Sequence, residues 1–303
     1  MDIAVIAGSK YTDIDAFASA VAYARLLELS GFIAESFLAP LNQSVPKIVR
    51  KLGAKYSSLN AFNSYPERGF VVVDVSNPEF FPDFVHEPDV LEVWDHHFGY
   101  EEYWRDLIGD KAFIEPVGAC ATLIYEEWAK NNRLTSLDPI NASLLQTAIL
   151  SNTLNFSSIV TTQRDMDAYE NLALISNLGP NWSSIYFGAI QNDVLRTPLK
   201  ELIKGDSKVI NIKKIGNVFI FQLELYSGEQ FLLNNKDKLI GEVKRQAGDL
   251  PYLITIPSIK DKKNFLLTPN KALQTLLTAR FGAKFIDDKG VSERLFLRKE
   301  LLV

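Results

Sequence analysis

Two of the three histidines in this 303-residue chain, His96 and His97, stand side by side behind Asp95 in the stretch "EVWDHHFGY". Three more carboxylates occur in comparable settings. Asp13 and Asp15, in "SKYTDIDAFAS", follow the apolar run "IAVIAG", and Asp74 closes the run "VVV". Carboxylates and imidazoles gathered in one crevice repel and desolvate one another unless a cation holds them. Oxygen and imidazole donors are also a set that divalent ions accept. Singly, each residue has an ordinary explanation: an Asp before a helix is commonly an N-cap, and Asp74 suits a turn at a strand end. A lone histidine, such as His86 in "DFVHEPDV", reads as a satisfied, partly buried side chain. Four signals at the same end of successive strands favour a metal centre instead.

The elements that would position these residues are legible as apolar runs. Residues 3–8, 32–39, 70–76 and 90–95 read as buried strands, with a helix after the first of them ending at Gly31 and a helix-like segment at 45–53. The pattern predicts a mainly parallel sheet covered by helices, with ligands gathered at the carboxyl ends of the strands. Residues 120–132, 139–154 and 164–179 read as helices that complete a first domain, residues 1–188. A break is expected between Trp182 and Pro198. The second domain, 195–303, reads as α+β, with strands at 217–225 and 251–258 and helices at 236–248 and 271–282.

Composition narrows the function classes. Apolar residues make up 47% and charged residues 23% of the chain, and no apolar run is long enough to span a bilayer. The net charge of −5 argues against a nucleic-acid footprint. One cysteine, Cys120, cannot form an internal disulfide, and the first residues show no basic leader, so a cytoplasmic location is expected.

The motifs "DID", the Asp74 strand end, "DHH" and "GACATLI" (118–124) resemble those of the DHH phosphoesterases. The segments 146–169, 201–212 and "FLRKELLV" (296–303) narrow the resemblance to family II inorganic pyrophosphatases and to exopolyphosphatase and prune-type relatives, which carry a C-terminal DHHA2 domain. The fold implied is α/β, an N-terminal DHH domain with a mainly parallel sheet and flanking helices, followed by a smaller α+β DHHA2 domain. The activity implied is hydrolysis of a small phosphoanhydride with two divalent ions, Mn2+ or Mg2+. Asp13 and Asp74 would hold one ion and Asp15, Asp74 and His96 the other. Asp95 would orient the metal-binding histidine, and His97 would face the substrate phosphate. Lys208, Arg298 and Lys299 would bind phosphate from the second domain. A homodimer is also implied; a membrane or nucleic-acid partner is not.

Two positions depart from the family pattern. Ser9 stands where the pyrophosphatase pattern "GHxNPDTD" has a metal-binding histidine, a change shared in kind with the prune and exopolyphosphatase relatives and favouring a harder ion such as Mg2+. Asn152, in "ILSNTLNF", stands where the family has a ligating aspartate and offers only a neutral oxygen. These changes keep two alternatives beside the pyrophosphatase: an exopolyphosphatase, prune-type phosphatase or phosphodiesterase, and a protein with an impaired metal site that binds phosphate compounds or a partner without turnover. The small residues of "GACAT" read either as close helix packing or, on the resemblance, as neighbours of the active site.

Overall fold

Strand β1, Asp2–Ile6, is buried from Ile3 onward, and the chain leaves it through residues 7–13 into helix α1, Ile14–Leu29. The structure is a computed structural model that describes residues 2–62, 68–296 and 298–301. Its chain divides into two compact units, Met1–Tyr186 and Phe187–Val303.

The first unit continues with β2 (Ile33–Leu38), α2 (Lys47–Arg50), β3 (Ser57–Ser58), β4 (Arg68–Val73), β5 (Val90–Asp95), α3 (Glu101–Ile108) and β6 (Ala112–Ile114). Helices α4 (Cys120–Lys130), α5 (Pro139–Asn152) and α6 (Gln163–Ala173) follow, and α7 (Trp182–Arg196) carries the chain across the division. The six strands are ordered β3-β2-β1-β4-β5-β6, and every pairing is parallel. Strand order reverses between β1 and β4, so the connections leaving these two strands diverge and open a crevice at their carboxyl ends.

Burial on both faces explains why these strands read as continuous apolar runs: Phe70, Val71, Val72 and Val73 of β4 are all buried. Thirteen of the sixteen residues of α1 are buried, because the helix packs on β2, α4 and α5 together. Its alanines allow that close approach. Helix α5 is buried from Asn141 through Leu150; Asp138 caps it by accepting from the Ile140 and Asn141 amides, and Pro139 needs no partner at the first position.

Several element boundaries differ from the sequence reading. The helical pattern at 45–53 yields only the single turn of α2, and that at 164–179 stops at Ala173, with Leu174 exposed beyond it. Residues 182–196, where the helical run is expected to end and a domain break to fall, form the one helix α7, within which the two units divide after Tyr186.

The second unit contains α8 (Leu199–Asp206), β7 (Ser207–Ile212), β8 (Gly216–Gln222), α9 (Gly228–Ala247), β9 (Tyr252–Ser258), β10 (Lys263–Leu267), α10 (Lys271–Phe281), β11 (Lys284–Ile286) and β12 (Lys289–Ser292). Its sheet runs β11-β12-β10-β9-β8-β7 and is mixed: only β8 and β9 pair in parallel. Both faces are covered. Phe219 and Phe221 of β8 join Leu239 and Val243 of α9 on one side, while Val218 and Ile220 join Leu273 and Leu277 of α10 on the other. The period of two thus selects the face rather than separating buried from exposed. Helix α9 begins eight residues before the sequence reading placed it, running through Asn234 and Asn235, where the Asn235 amide donates to the Phe231 carbonyl one turn back. Among the described residues, no helix is long and apolar enough to cross a membrane.

Candidate metal centre

The loop after β1 delivers two carboxylates to different tasks. Asp13 is the N-cap of α1, accepting from the Asp15 and Ala16 amides through Oδ1 at 3.0 Å each. Asp15, in the first turn of α1, is fully buried. Its Oδ1 accepts from the Ala121 amide and its Oδ2 from the Cys120 amide, each at 2.8 Å, so it sits on the positive amino end of α4. Burial nevertheless pushes its carboxyl up to about 6, with Asp13 adding to the rise and His96 and the α4 amides opposing it.

Asp74 follows β4 with φ of 59°, a left-handed conformation that Asp tolerates better than most residues. Its amide donates to the Trp94 carbonyl at 2.8 Å, which turns the side chain into the crevice. The Oδ1 atom is buried with no hydrogen-bond partner. Burial, then the neighbouring Asp15 and Asp13, hold its carboxyl well above the usual range.

After β5 the two histidines diverge. The His96 ring meets the Val117 carbonyl through Nδ1 at 3.1 Å; a carbonyl only accepts, so Nδ1 carries the proton. Nε2 lies 3.4 Å from Asp74 Oδ1 and 3.7 Å from Asp15 Oδ2. That arrangement is the usual one for a ligating histidine, with the second nitrogen held by a carbonyl. His97 is mostly exposed, and its Nδ1 lies 2.8 Å from Asp95 Oδ1. The hydrogen bond to Asp95 raises the His97 pKa, opposed by partial desolvation and aided by the charge of Asp74.

The fully buried Asp95 therefore steadies the ring of His97, not that of the metal-facing histidine as the sequence reading had it. Its Oδ1 also accepts from the amides of both His96 and His97, at 2.7 and 3.1 Å, and this tight turn closes the ring two residues on against the same oxygen. Burial pushes the Asp95 carboxyl up, but the hydrogen bonds and charge of His97 outweigh it and leave the group below its ordinary value. His86 is exposed rather than partly buried; Val85 takes the inward place in that loop.

Asp74, His96 and His97 each offer a ligand atom within 4.8 Å of the others. Asp74 and His97 share the wall of a cavity of about 540 Å³ with Ser9, Asp13, Asp95 and the aromatic rings of Phe80, Phe98 and Tyr100. Ser9 is fixed there by its amide, which donates to the Phe80 carbonyl at 2.8 Å. Asn152 ends α5 with a buried Nδ2 that has no hydrogen-bond partner. The unpartnered Asp74 oxygen, His96 Nε2 and the surrounding carboxylates fit a divalent ion of intermediate hardness.

The second unit carries the three expected phosphate ligands. Lys208 is exposed on β7. Arg298 donates through its amide to Gln222 Oε1 at 2.6 Å and through its guanidinium to the Asp206 carbonyl. The side chain of Lys299 lies outside the described residues. Sequence reasoning missed the Val117 carbonyl and the Cys120 and Ala121 amides, which hold His96 and Asp15; the only signal for them was the run of small residues in "GACAT".

No family model matches the chain. It is 22% identical over 306 residues to the manganese-dependent inorganic pyrophosphatase of Methanothrix thermoacetophila, covering 98% of this chain and 95% of that one. It is 26% identical over 311 residues to the enzyme of the same name from Methanocaldococcus jannaschii, covering 98% and 96%. The Bacillus subtilis enzyme of that name is 28% identical over 215 residues, covering 69% and 66%. A Methanococcus jannaschii structure described as a family II inorganic pyrophosphatase superposes with a TM-score of 0.63 at 22% identity, covering 99% of this chain and 97% of that one. An exopolyphosphatase-related protein from Bacteroides fragilis gives 0.54 at 12% identity, covering 99% and 89%. The fold is that of these two structures. In sequence, the chain is similar to the manganese-dependent inorganic pyrophosphatases.

Proposed function

We propose that this protein is a divalent-metal-dependent phosphohydrolase that cleaves the anhydride of inorganic pyrophosphate or short polyphosphate. The observation that carries the reading is His96 Nε2 lying 3.4 Å from Asp74 Oδ1 and 3.7 Å from Asp15 Oδ2, with Asp74, His96 and His97 each offering a ligand atom within 4.8 Å of the others. The names of the homologues agree with it. When bound, divalent ions supply Lewis-acid polarisation of the phosphoryl oxygens and acidify water toward neutrality. Asp15, Asp74 and His96 would hold one ion, and Asp13 with Asp74 a second, with Ser9 and Asn152 as weaker oxygen donors.

The chain's own groups account for the rest. His97, with Nδ1 held 2.8 Å from Asp95 Oδ1, presents Nε2 to a phosphate oxygen in the cavity. The hydrogen bond to Asp95 raises its pKa and so favours the protonated ring that can donate there. Lys208, Arg298 and Lys299 bind the remaining phosphate charge, so Arg298→Ala should raise KM. A serine at position 9 shifts the balance from Mn2+ toward Mg2+.

Ser9 and Asn152 favour one second reading, a phosphate-compound binder without turnover. The test is phosphate release from pyrophosphate and from short polyphosphate, with Mn2+ and Mg2+ in parallel, for the wild type and Asn152→Asp. Turnover by the wild type supports the hydrolase and identifies its substrate. Turnover confined to Asn152→Asp supports the binder, and silence from both proteins overturns the assigned centre.

A further inference from the structure

Asp165 is fully buried at the third position of α6 and accepts from four donor groups. Two belong to Thr162: its amide and its hydroxyl reach Oδ2 at 2.7 Å each. With the Asp165 amide donating back to the Thr162 hydroxyl, they make a capping box for α6. The other two leave α6 altogether. The Gly118 amide reaches Oδ2 at 2.9 Å, and the Thr122 hydroxyl reaches Oδ1 at 2.6 Å. A helix cap needs neither bond.

The segment between those two anchors backs the metal centre. Val117, next to Gly118, supplies the carbonyl that holds His96 Nδ1. Cys120 and Ala121, just before Thr122, supply the amides that hold both oxygens of Asp15. The approach is close: a Cβ on Gly118 would lie 2.8 Å from Asp165 Oδ2 and 2.8 Å from the Thr153 methyl, beside Asn152. We infer that Asp165 is a positioning residue of the centre, pinning Val117–Thr122 so that His96 presents Nε2 and Asp15 presents Oδ2 at the same point. The inference rests on the metal-centre reading above and adds a residue that touches none of the proposed ligands.

Three variants of the whole chain separate this role from capping. Asp165→Asn keeps the shape but turns an NH2 toward amide and hydroxyl donors. Thr122→Val removes the anchor on α4 and spares the capping box. Thr162→Ala breaks the box and spares the Gly118 and Thr122 bonds. Calorimetric titration with Mn2+ is expected to show affinity falling about 10–100-fold in Asp165→Asn, and falling also in Thr122→Val. Thr162→Ala is expected to lower Tm while leaving Mn2+ affinity unchanged.

In metal-free protein, 15N NMR of the His96 ring should report a single Nδ1–H tautomer in the wild type and a mixture in Asp165→Asn. Folded Asp165→Asn that keeps wild-type affinity and the wild-type tautomer overturns the inference. If Asp165→Asn does not fold, Thr122→Val with unchanged affinity and tautomer does so. A wild type that binds no Mn2+ at millimolar concentration overturns the metal-centre reading instead, and the tautomer of the metal-free variants still decides the role of Asp165.

Discussion

Asp74 shows what the centre costs the protein that carries it. Its Oδ1 is buried without a hydrogen-bond partner, among three other carboxylates, in a left-handed backbone conformation. Asn also accepts that conformation, so Asp74→Asn removes the charge with little change of shape. The metal-free variant should be more stable than the wild type by roughly 1 kcal/mol, measured by denaturant unfolding in EDTA, and should lose Mn2+ binding in calorimetry. A second expectation concerns His97. A folded-state pKa above the unfolded value near 6.5 stabilises the fold fully below that pH, and the contribution fades as pH rises through the folded value. Asp95→Asn should lower the His97 pKa in an NMR titration and flatten that slope. The ligand types were legible because each acid or imidazole follows an apolar strand. Which ring Asp95 steadies was not, since two adjacent histidines look alike until the turn fixes them.

Helices α4 and α5 owe their placement to small residues and caps at their ends. Asp138→Ala removes the acceptor for two orphan amides of α5 and should cost about 1 kcal/mol in chemical denaturation, with m unchanged. Gly118→Ala has no room beside Asp165 and Thr153 and should cost about 1–3 kcal/mol by the same measurement. The long elements of the first unit were readable because strands buried on both faces are unbroken apolar runs. Those of the second unit were less so: β11 and β12 are three and four residues long, too short to show a period. The first half of α9 was missed because Asn234 and Asn235 look like a break, although the Asn235 side chain bonds within the helix.

Over the whole molecule, each unit has its own hydrophobic interior, and the proposed metal ligands Asp13, Asp15, Asp74 and His96 all lie in the first. A ligand that binds only the folded form stabilises it by about 2.7 kcal/mol at one hundred times its Kd. Scanning calorimetry with saturating Mn2+ should therefore raise the transition of residues 1–186. Strand order was beyond the sequence. Apolar runs identify strands, but the place of β4 beside β1 follows from which faces the crossovers cover. That order gives the centre a particular history. Its ligands come from segments some sixty and eighty residues apart, brought together only when β1, β4 and β5 are in register. Parallel neighbours separated so far along the chain assemble slowly. An ion that needs all three strand ends has nothing to grip in the unfolded chain or in its early compact forms. Mn2+ should leave the refolding rate untouched and act on the unfolding rate alone, so that the loaded protein is distinguished by how long it lasts rather than by how fast it forms.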